Sequence, residues 1–418
     1  MAYIQLNSNN PDFGYVIRKN PNAGMQMKPI RKGQSMAWFS NEGTSFNVFF
    51  KDADNDVSFG YQEFEYSNNS RYNSPMLVIN VITEFFSSTV KELHEKDKSF
   101  EKSFVIGALE VKQFSQIQNF EKYFPEFTIE STKIADKIYS LKIRTEKPWF
   151  DLLNYVNLMM IFVSLLSDDF VQLDKSNIEK YLAAIKRLDV PFFIRYLFSR
   201  MMLKSKGQFN KYKNLLEQSD RYEKISMQYG NTAMQRKDFI SSKLEFNKPV
   251  LDIGCGEGFY AIDYAPKVDY YHAIDIDENC LTTVKNKMKK KEIENISLYN
   301  SLDDYTKIEN EEKVDIILTE VIEHMPQEDS RELLAEISKL DFGTLIVTVP
   351  NKEFNKFYEL SENEMRHDDH DWEPTEEEYR TFMMNVLSYD FKNKDFEFFH
   401  IGDEIDGIST SLGCVIKS

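Results

Sequence analysis

The chain has 418 residues, 42% of them hydrophobic and 28% charged, a balance that suits folded domains and excludes a disordered or fibrous protein. That length predicts two or three domains. With 51 basic against 68 acidic residues the net charge is −17, which excludes a general nucleic-acid coat protein and leaves polyanion contacts to a local basic patch or a bound cation.

Three cysteines, Cys255, Cys280 and Cys414, are widely separated. They form neither a disulfide framework nor a thiolate zinc pattern, which fits a reducing compartment. The opening "MAYIQLNSNNPDFGY" has no hydrophobic signal core, so a cytoplasmic location is expected. The most apolar run, "PWFDLLNYVNLMMIFVSLLS" (Pro148 to Ser167), approaches membrane length. Asp151, Asn154 and Asn157 recur on one side of it at helical spacing, which predicts a buried helix and no membrane span.

Residues 1–147 mix short alternating runs ("SFNVFF", "DKIYSLKIRT") with one helix over "MLVINVITEFFSSTVKEL", announced by Ser74 as N-cap and Pro75 in the first turn. This is an α+β amino-terminal module. Residues 148–220 read as a helical segment belonging to the same half, with "NIEKYLAAIKRL" and "PFFIRYLFSRMMLKSKGQF" as its later helices. From about 221 to 418 strands and helices alternate: "PVLDIG", "YYHAIDI", "ISLYN", "VDIILTEV" and "GTLIVTVP" are separated by helices such as "CLTTVKNKMKKK" and "SRELLAEISKL". Continuous β-branched runs between helices predict an α/β domain with a mostly parallel sheet covered on both faces. Ligands of such sheets bind beyond the carboxyl ends of the strands.

"VLDIGCGEGFY" (Val250 to Tyr260) is a strand entering a glycine-rich turn. Gly254, Gly256 and Gly258 let a ligand approach the backbone, and Asp252 is expected to offer a carboxylate there. Asp275 ends the next strand, where it is placed to accept from a ribose diol. The spacing is GxGxG without the dinucleotide GxGxxG, and together with Asp275 it resembles class I (Rossmann-like) S-adenosyl-L-methionine methyltransferases. That resemblance implies that the loop after the third strand, Asn300, Ser301 and Leu302, lies beside the adenine.

"LTEVIEHM" sets Glu320, Glu323 and His324 at the carboxyl end of the fourth strand. The i, i+3, i+4 spacing can turn the three side chains to one side. Two carboxylates and an imidazole suit an intermediate-hardness divalent ion, Mn²⁺ or Mg²⁺ with Fe²⁺ and Co²⁺ as alternatives, better than structural zinc. "MRHDDHDWE" follows the next strand and adds His367 and His370, so that three of the six histidines fall in these two segments.

"ExxEH", then "PNKEFN", then "RHDDHDWE" resembles the RNA 3′-terminal ribose 2′-O-methyltransferases (HEN methyltransferases). These modify small silencing RNAs in plants and animals, and bacterial relatives act in RNA repair. The resemblance implies Glu320, Glu323, His324 and His370 as metal ligands, with His367 matching an additional histidine of bacterial members. "MQR" before the sheet matches a Gln-Arg helix of the family, and "DFGYVIRKNP" with "YSNNSRYNSPMLVINVI" looks like the amino-terminal module of bacterial members. Two departures stand out: "WEPTEEEY" places acidic residues where the family carries a basic one, and "VPN" replaces "TPN".

The function so implied is metal-dependent transfer of a methyl group from S-adenosyl-L-methionine to the 2′-hydroxyl of the last ribose of RNA. A cation chelated by both hydroxyls would read a free 2′,3′ diol, which only a terminal ribose has, and would lower the hydroxyl pKa. A nearby imidazole, either His367 or a neighbour of a metal ligand, would take the proton. A second reading makes the chain an RNA-repair accessory factor whose amino-terminal half activates a kinase-phosphatase-ligase partner. A third makes it a class I methyltransferase of a small molecule.

Overall fold

The computed structural model of the chain describes residues 2–30, 33–51, 73–166, 175–307, 312–361 and 364–418. The first residues of "YSNNSRYNSPMLVINVI", 66–72, lie outside them. Contacts divide the chain into Met1–Met202 and Leu203–Ser418.

In the first unit β1 (Ala2–Ser8), β2 (Gln26–Ile30), β3 (Gly33–Ser40), β4 (Ser45–Lys51), β5 (Lys102–Glu110), β6 (Thr128–Ala135) and β7 (Ile138–Thr145) form one sheet in the order β2-β3-β4-β1-β5-β7-β6. Every pairing among them is antiparallel. The alternation in β1 shows why: Ile4 and Leu6 are buried, while Tyr3 and Gln5 meet Asn47 on the other face at 2.7 and 2.9 Å. Helix α1 (Pro75–Phe86) starts where the sequence indicates, with the Ser74 hydroxyl accepting from the Met76 N–H, but it ends at Phe86, short of "STVKEL". After α2 (Ser115–Tyr123) comes α3 (Trp149–Leu166), the one described helix long and apolar enough to cross a membrane. It is a core helix of its unit, packed against α1 and α4 (Lys175–Leu188).

Of the polar side chains Asp151, Asn154 and Asn157 on α3, the first two are bonded, whereas Asn157 Oδ1 is buried without a partner among the described residues. Asp151 accepts from Arg187 Nε at 2.6 Å, Asn154 donates to the Val90 and Phe150 carbonyls, and only the backbone carbonyl of Asn157 accepts, from the Tyr181 hydroxyl. At the head of α3 the Trp149 N–H donates to Asp97 Oδ2 at 2.5 Å, and Asp97 Oδ1 lies 3.3 Å from Lys102 Nζ, with both side chains buried. Burial raises the Asp97 pKa and lowers that of Lys102 despite their mutual attraction.

The run "PFFIRYLFSRMMLKSKGQF", read as one helix, is two: α5 (Phe192–Met202) and α6 (Lys206–Leu216), the latter begun by Ser205, whose hydroxyl caps the Gln208 N–H. The sequence reading closes the amino-terminal half at 220, whereas contacts place α6 in the second unit.

The second unit continues with β8 (Ile225–Ser226), α7 (Thr232–Lys243), β9 (Val250–Ile253), α8 (Ala261–Tyr264), β10 (Tyr271–Ile274), α9 (Glu278–Lys291), β11 (Ile296–Tyr299) and α10 (Leu302–Thr306). Then follow β12 (Val314–Thr319), α11 (Gln327–Ile337), β13 (Phe342–Pro350), α12 (Glu376–Tyr389), β14 (Asp395–Ile405) and β15 (Ile408–Lys417). The sheet order is β11-β10-β9-β12-β13-β15-β14-β8. Strands β11 to β13 run parallel and the last three pair antiparallel. Leu251, Ile316, Leu318, Leu345 and Val347 face α11 and α12, while Val250, Ile317, Ile346 and Val415 face the layer of α7, α8 and α9. This is a class I Rossmann-like methyltransferase sheet. The β14–β15 hairpin was not read from the sequence, although Asp406-Gly407, with φ of 51° and 83°, is a strong two-residue hairpin turn.

Replacing Lys102 with Met leaves Asp97 buried and unpaired at the start of α3. Lys102→Met is expected to lower the stability of the first unit by about 3–5 kcal/mol, read as an earlier transition in urea denaturation. Changing Asp97 and Lys102 together to apolar residues should cost less than either change alone.

Candidate active site and metal centre

Strand β9 delivers the glycine turn to the carboxyl edge of the sheet. The N–H groups of Gly254 and Cys255 both donate to the Ile274 carbonyl at 2.9 Å, tying the turn to β10. Gly254, Gly256 and Gly258 have φ of 75°, 52° and 78°, where a side chain is strained. A Cβ on Gly254 would lie 2.3 Å from Val321 Cγ2, whereas one on Gly256 would meet open space. Asp275 braces this turn: Oδ2 accepts from the Gly256 N–H at 2.7 Å and Oδ1 from the Asp277 N–H at 2.9 Å. Each oxygen keeps a lone pair for a ligand. Next to it the apolar side chain of Ile276 is 91% exposed, a surface that sequence reading passed over.

Two residues expected at this pocket are elsewhere. Asp252 is buried under the turn, its Oδ2 accepting from the Tyr271 hydroxyl at 2.8 Å. Burial, helped by nearby Asp275, raises its pKa to about 7. It braces β9 against β10 and offers no carboxylate to the open face. Leu302 belongs to the core. Ser301 caps α10 through its hydroxyl, which accepts from the Asp304 N–H at 3.1 Å, and Asn300 is exposed at the end of β11.

The fourth parallel strand, β12, ends in Glu320 and a 3₁₀ turn, Ile322–His324. The loop 365–375 is laced onto this turn by backbone bonds. The Glu323 carbonyl accepts from the N–H groups of Asp371 (2.8 Å) and Trp372 (3.3 Å), and Trp372 Nε1 donates to the Ile322 carbonyl at 2.8 Å. Two segments 45 residues apart in sequence thereby bring His324 and His370 together, their ring centroids 4.6 Å apart. Donor atoms of Glu323, His324 and His370 lie within 4.8 Å of one another.

Neither oxygen of the fully buried Glu323 carboxylate has a hydrogen-bond partner among the described residues. Burial, with Glu320 nearby, raises its pKa well above the usual carboxylate range, against a smaller pull from its own backbone N–H and Arg236. A buried, unpaired carboxylate is costly, and a cation would offset that cost. Both histidines engage Nδ1, His324 with the Asp369 carbonyl at 3.2 Å and His370 with Glu373 Oε1 at 2.6 Å, which leaves Nε2 as the remaining ring nitrogen. This donor set fits one divalent cation of intermediate hardness.

Glu320, expected as a fourth ligand, is not in the cluster. Its φ of 54° is left-handed, its Oε2 is 2.7 Å from a terminal nitrogen of Arg236 on α7, and its Oε1 accepts from the Thr348 hydroxyl at 3.2 Å. The ion pair with a buried guanidinium competes with any ligation. His367 is exposed, its ring centroid 5.1 Å from that of His370, and it lies outside the Glu323/His324/His370 group.

Glu373 and Asn355 are neighbours of the cluster that the motifs leave without a role. Glu373 accepts from His370, from the Arg366 N–H at 2.7 Å and from Asn355 Nδ2 at 2.5 Å. Burial raises its pKa, but the bonds from Asn355, Arg366 and His370 outweigh that and hold it below the usual value. Its position three residues after His370 was the available signal.

The Hen1 N-terminal domain family matches residues 3–221, just over half of the chain. The chain belongs to the Hen1 family. A methyltransferase domain family matches residues 250–340, the stretch from β9 through α11. Over its whole length the chain is similar to one in the solved Pnkp1/Rnl/Hen1 RNA repair complex, with 25% identity, 100% of each chain covered and a TM-score of 0.84. A second solved Pnkp1/Rnl/Hen1 complex contains the same fold at 24% identity, 99% coverage of each chain and a TM-score of 0.79. The probable cobalt-precorrin-6B C(15)-methyltransferase (decarboxylating) of Methanococcus maripaludis is 34% identical over 118 residues, 27% of this chain. The chain spans 62% of the length of that curated relative.

A side chain at Gly254 would strike Val321, the residue that leads into the turn carrying Glu323. Gly254→Ala is expected to weaken S-adenosyl-L-methionine binding at least about tenfold, from φ strain and the clash with Val321. Adding Val321→Ala should recover part of the loss, measured by titration calorimetry of the single and double variants.

Proposed function

We propose that this Hen1 family member transfers a methyl group from S-adenosyl-L-methionine to the 2′-hydroxyl of the 3′-terminal ribose of RNA, using a divalent cation held by Glu323, His324 and His370. The observation that carries this reading is the buried, unpaired Glu323 carboxylate beside two histidines whose Nδ1 atoms are already engaged. The glycine turn offers open space over Gly256, and Asp275 keeps lone pairs for the cofactor's ribose. Sheet order sets β9 next to β12, so the glycine turn and the turn carrying Glu323 and His324 lie at the ends of adjacent strands.

A cation in the cluster would lower the pKa of the ribose hydroxyl and orient it, with Mn²⁺ suiting two imidazoles better than Mg²⁺. The transfer breaks the sulfonium C–S bond as the O–C bond forms, and the hydroxyl proton leaves to a base. Exposed His367, beside His370, is the imidazole in position to accept it. Arg236 holds Glu320 at the edge of the cluster, where the pair sets the polarity of the site. Recognition by chelation requires no extended basic surface, in keeping with a net charge of −17.

The full-length similarity to the chain of the Pnkp1/Rnl/Hen1 RNA repair complex supports a place in RNA repair with a kinase-phosphatase-ligase partner. Activation of that partner is compatible with methyl transfer by the same chain. The Glu323/His324/His370 cluster favours the RNA reading over a small-molecule methyltransferase.

Radiolabelled methyl transfer to short RNA tests this. RNA with a free 2′,3′ diol should be methylated, and RNA with a 3′-phosphate or a 2′-O-methyl end should not. Glu323→Ala, His324→Ala and His370→Ala should each lose most activity while keeping S-adenosyl-L-methionine binding, and His367→Ala should be milder. Chelator should abolish activity, with Mn²⁺ restoring it better than Mg²⁺. Equal methylation of a 3′-phosphorylated RNA would refute the diol mechanism.

A further inference from the structure

We infer that Glu373 is a positioning residue: it fixes His370 as the Nδ1–H tautomer and so leaves Nε2 as the nitrogen available to the Glu323/His324/His370 cluster. The inference rests on the metal reading of that cluster. It starts from the direction of the hydrogen bonds around Glu373, whose side chain is fully buried against a His370 side chain that is 3% exposed.

An ionised carboxylate accepts and cannot donate. The 2.6 Å contact between Glu373 Oε1 and His370 Nδ1 therefore requires the proton on Nδ1. The remaining bonds hold Glu373 in that role. Arg366 Nε donates to Asn355 Oδ1 at 2.7 Å, which orients the Asn355 amide so that its Nδ2 faces Glu373 Oε2. The Arg366 N–H donates to Oε1 as well, and another guanidinium nitrogen of Arg366 donates to the Asn351 carbonyl at 2.6 Å. Donors converge on Glu373 from three sides, and none of these contacts asks it to donate. Through Arg366 the network ties "PNKEFN" to the ligand loop, and Asn351 Nδ2 in turn anchors it to the Ser409 carbonyl on β15. A histidine ligand held this way by a carboxylate is pre-oriented, and loss of such a partner typically weakens metal binding about 10–100-fold.

Glu373→Gln keeps the shape and reverses part of the logic. An amide nitrogen turned toward His370 stabilises the Nε2–H tautomer, and one turned toward Asn355 sets two donors against each other. The test uses the full chain. Nitrogen-15 NMR of the histidine rings in metal-free wild type, with His370→Asn for assignment, should find His370 as the Nδ1–H tautomer. In Glu373→Gln that preference should be lost, and Mn²⁺ affinity by electron paramagnetic resonance should fall about 10–100-fold, with S-adenosyl-L-methionine binding retained as evidence of folding. An Nε2–H tautomer in wild type overturns the inference, and that measurement needs no variant to fold. An unchanged tautomer and unchanged Mn²⁺ affinity in Glu373→Gln overturns it too. Wild type with the Nδ1–H tautomer but no Mn²⁺ binding would instead refute the metal reading while supporting the role of Glu373 in setting the ring.

Discussion

The backbone carbonyl of Glu323 accepts two N–H groups from a loop almost fifty residues away, and the rest of the site depends on that pairing. Glu323 sits in a tight 3₁₀ turn at the end of β12, with its carbonyl turned toward the loop and its carboxylate turned into the protein. Because the carbonyl is taken by Asp371 and Trp372, the loop is registered against the turn. His370, one residue before Asp371, then packs edge-on against His324. The indole N–H of Trp372, bonded to the Ile322 carbonyl, makes that register a three-bond clamp. Weakening it would separate the two imidazoles before it disturbed the sheet.

Around this clamp the polar groups divide by the sign of the charge they can tolerate. Glu320 is balanced by Arg236 and Glu373 by three donors, whereas Glu323 has no partner among the described residues. Leaving one carboxylate of three uncompensated destabilises the fold unless something positive arrives. The same imbalance is what a cation held by Glu323, His324 and His370, as proposed above, would relieve. The left-handed backbone at Glu320 is a further local cost at the same place, a residue without the freedom of glycine held at φ 54°.

The acidic surface of the chain bears on how a polyanion would be met. The lysine run that ends α9, Lys289 to Lys291, falls in the last turn of the helix, where it complements the carbonyl end of the helix dipole. Lys287 is committed to Glu257, and Lys237 to Asp263. The first turn of α12 carries Glu376, Glu377 and Glu378, with Glu378 completing a capping box on Thr375. The acidic "WEPTEEEY" that departs from the family pattern is thus explained locally by a well-capped helix start.

Much of the second unit was legible in the sequence because its signals are local. Five parallel strands announce themselves as β-branched runs, and positive φ at Gly254, Gly256 and Gly258 follows from the glycine spacing itself. Motif spacing singled out Glu320, Glu323 and His324, and the family resemblance added His370. What only the tertiary structure decided was which polar atoms remain free. Asp252 reads as a ligand group at the end of a strand, yet Tyr271 from the neighbouring strand takes it into the core. Glu320 reads as a metal ligand, yet a guanidinium from α7, some eighty residues earlier, holds it aside. Glu373 closes the "RHDDHDWE" motif without a role of its own, and its bonds to Asn355, Arg366 and His370 make it the anchor of the His370 ring. The physical reason is common to all three. Sequence spacing determines where a side chain leaves its strand or helix, but its charge state and remaining hydrogen-bond capacity depend on partners supplied by elements distant in the chain or by the folding of its own loop.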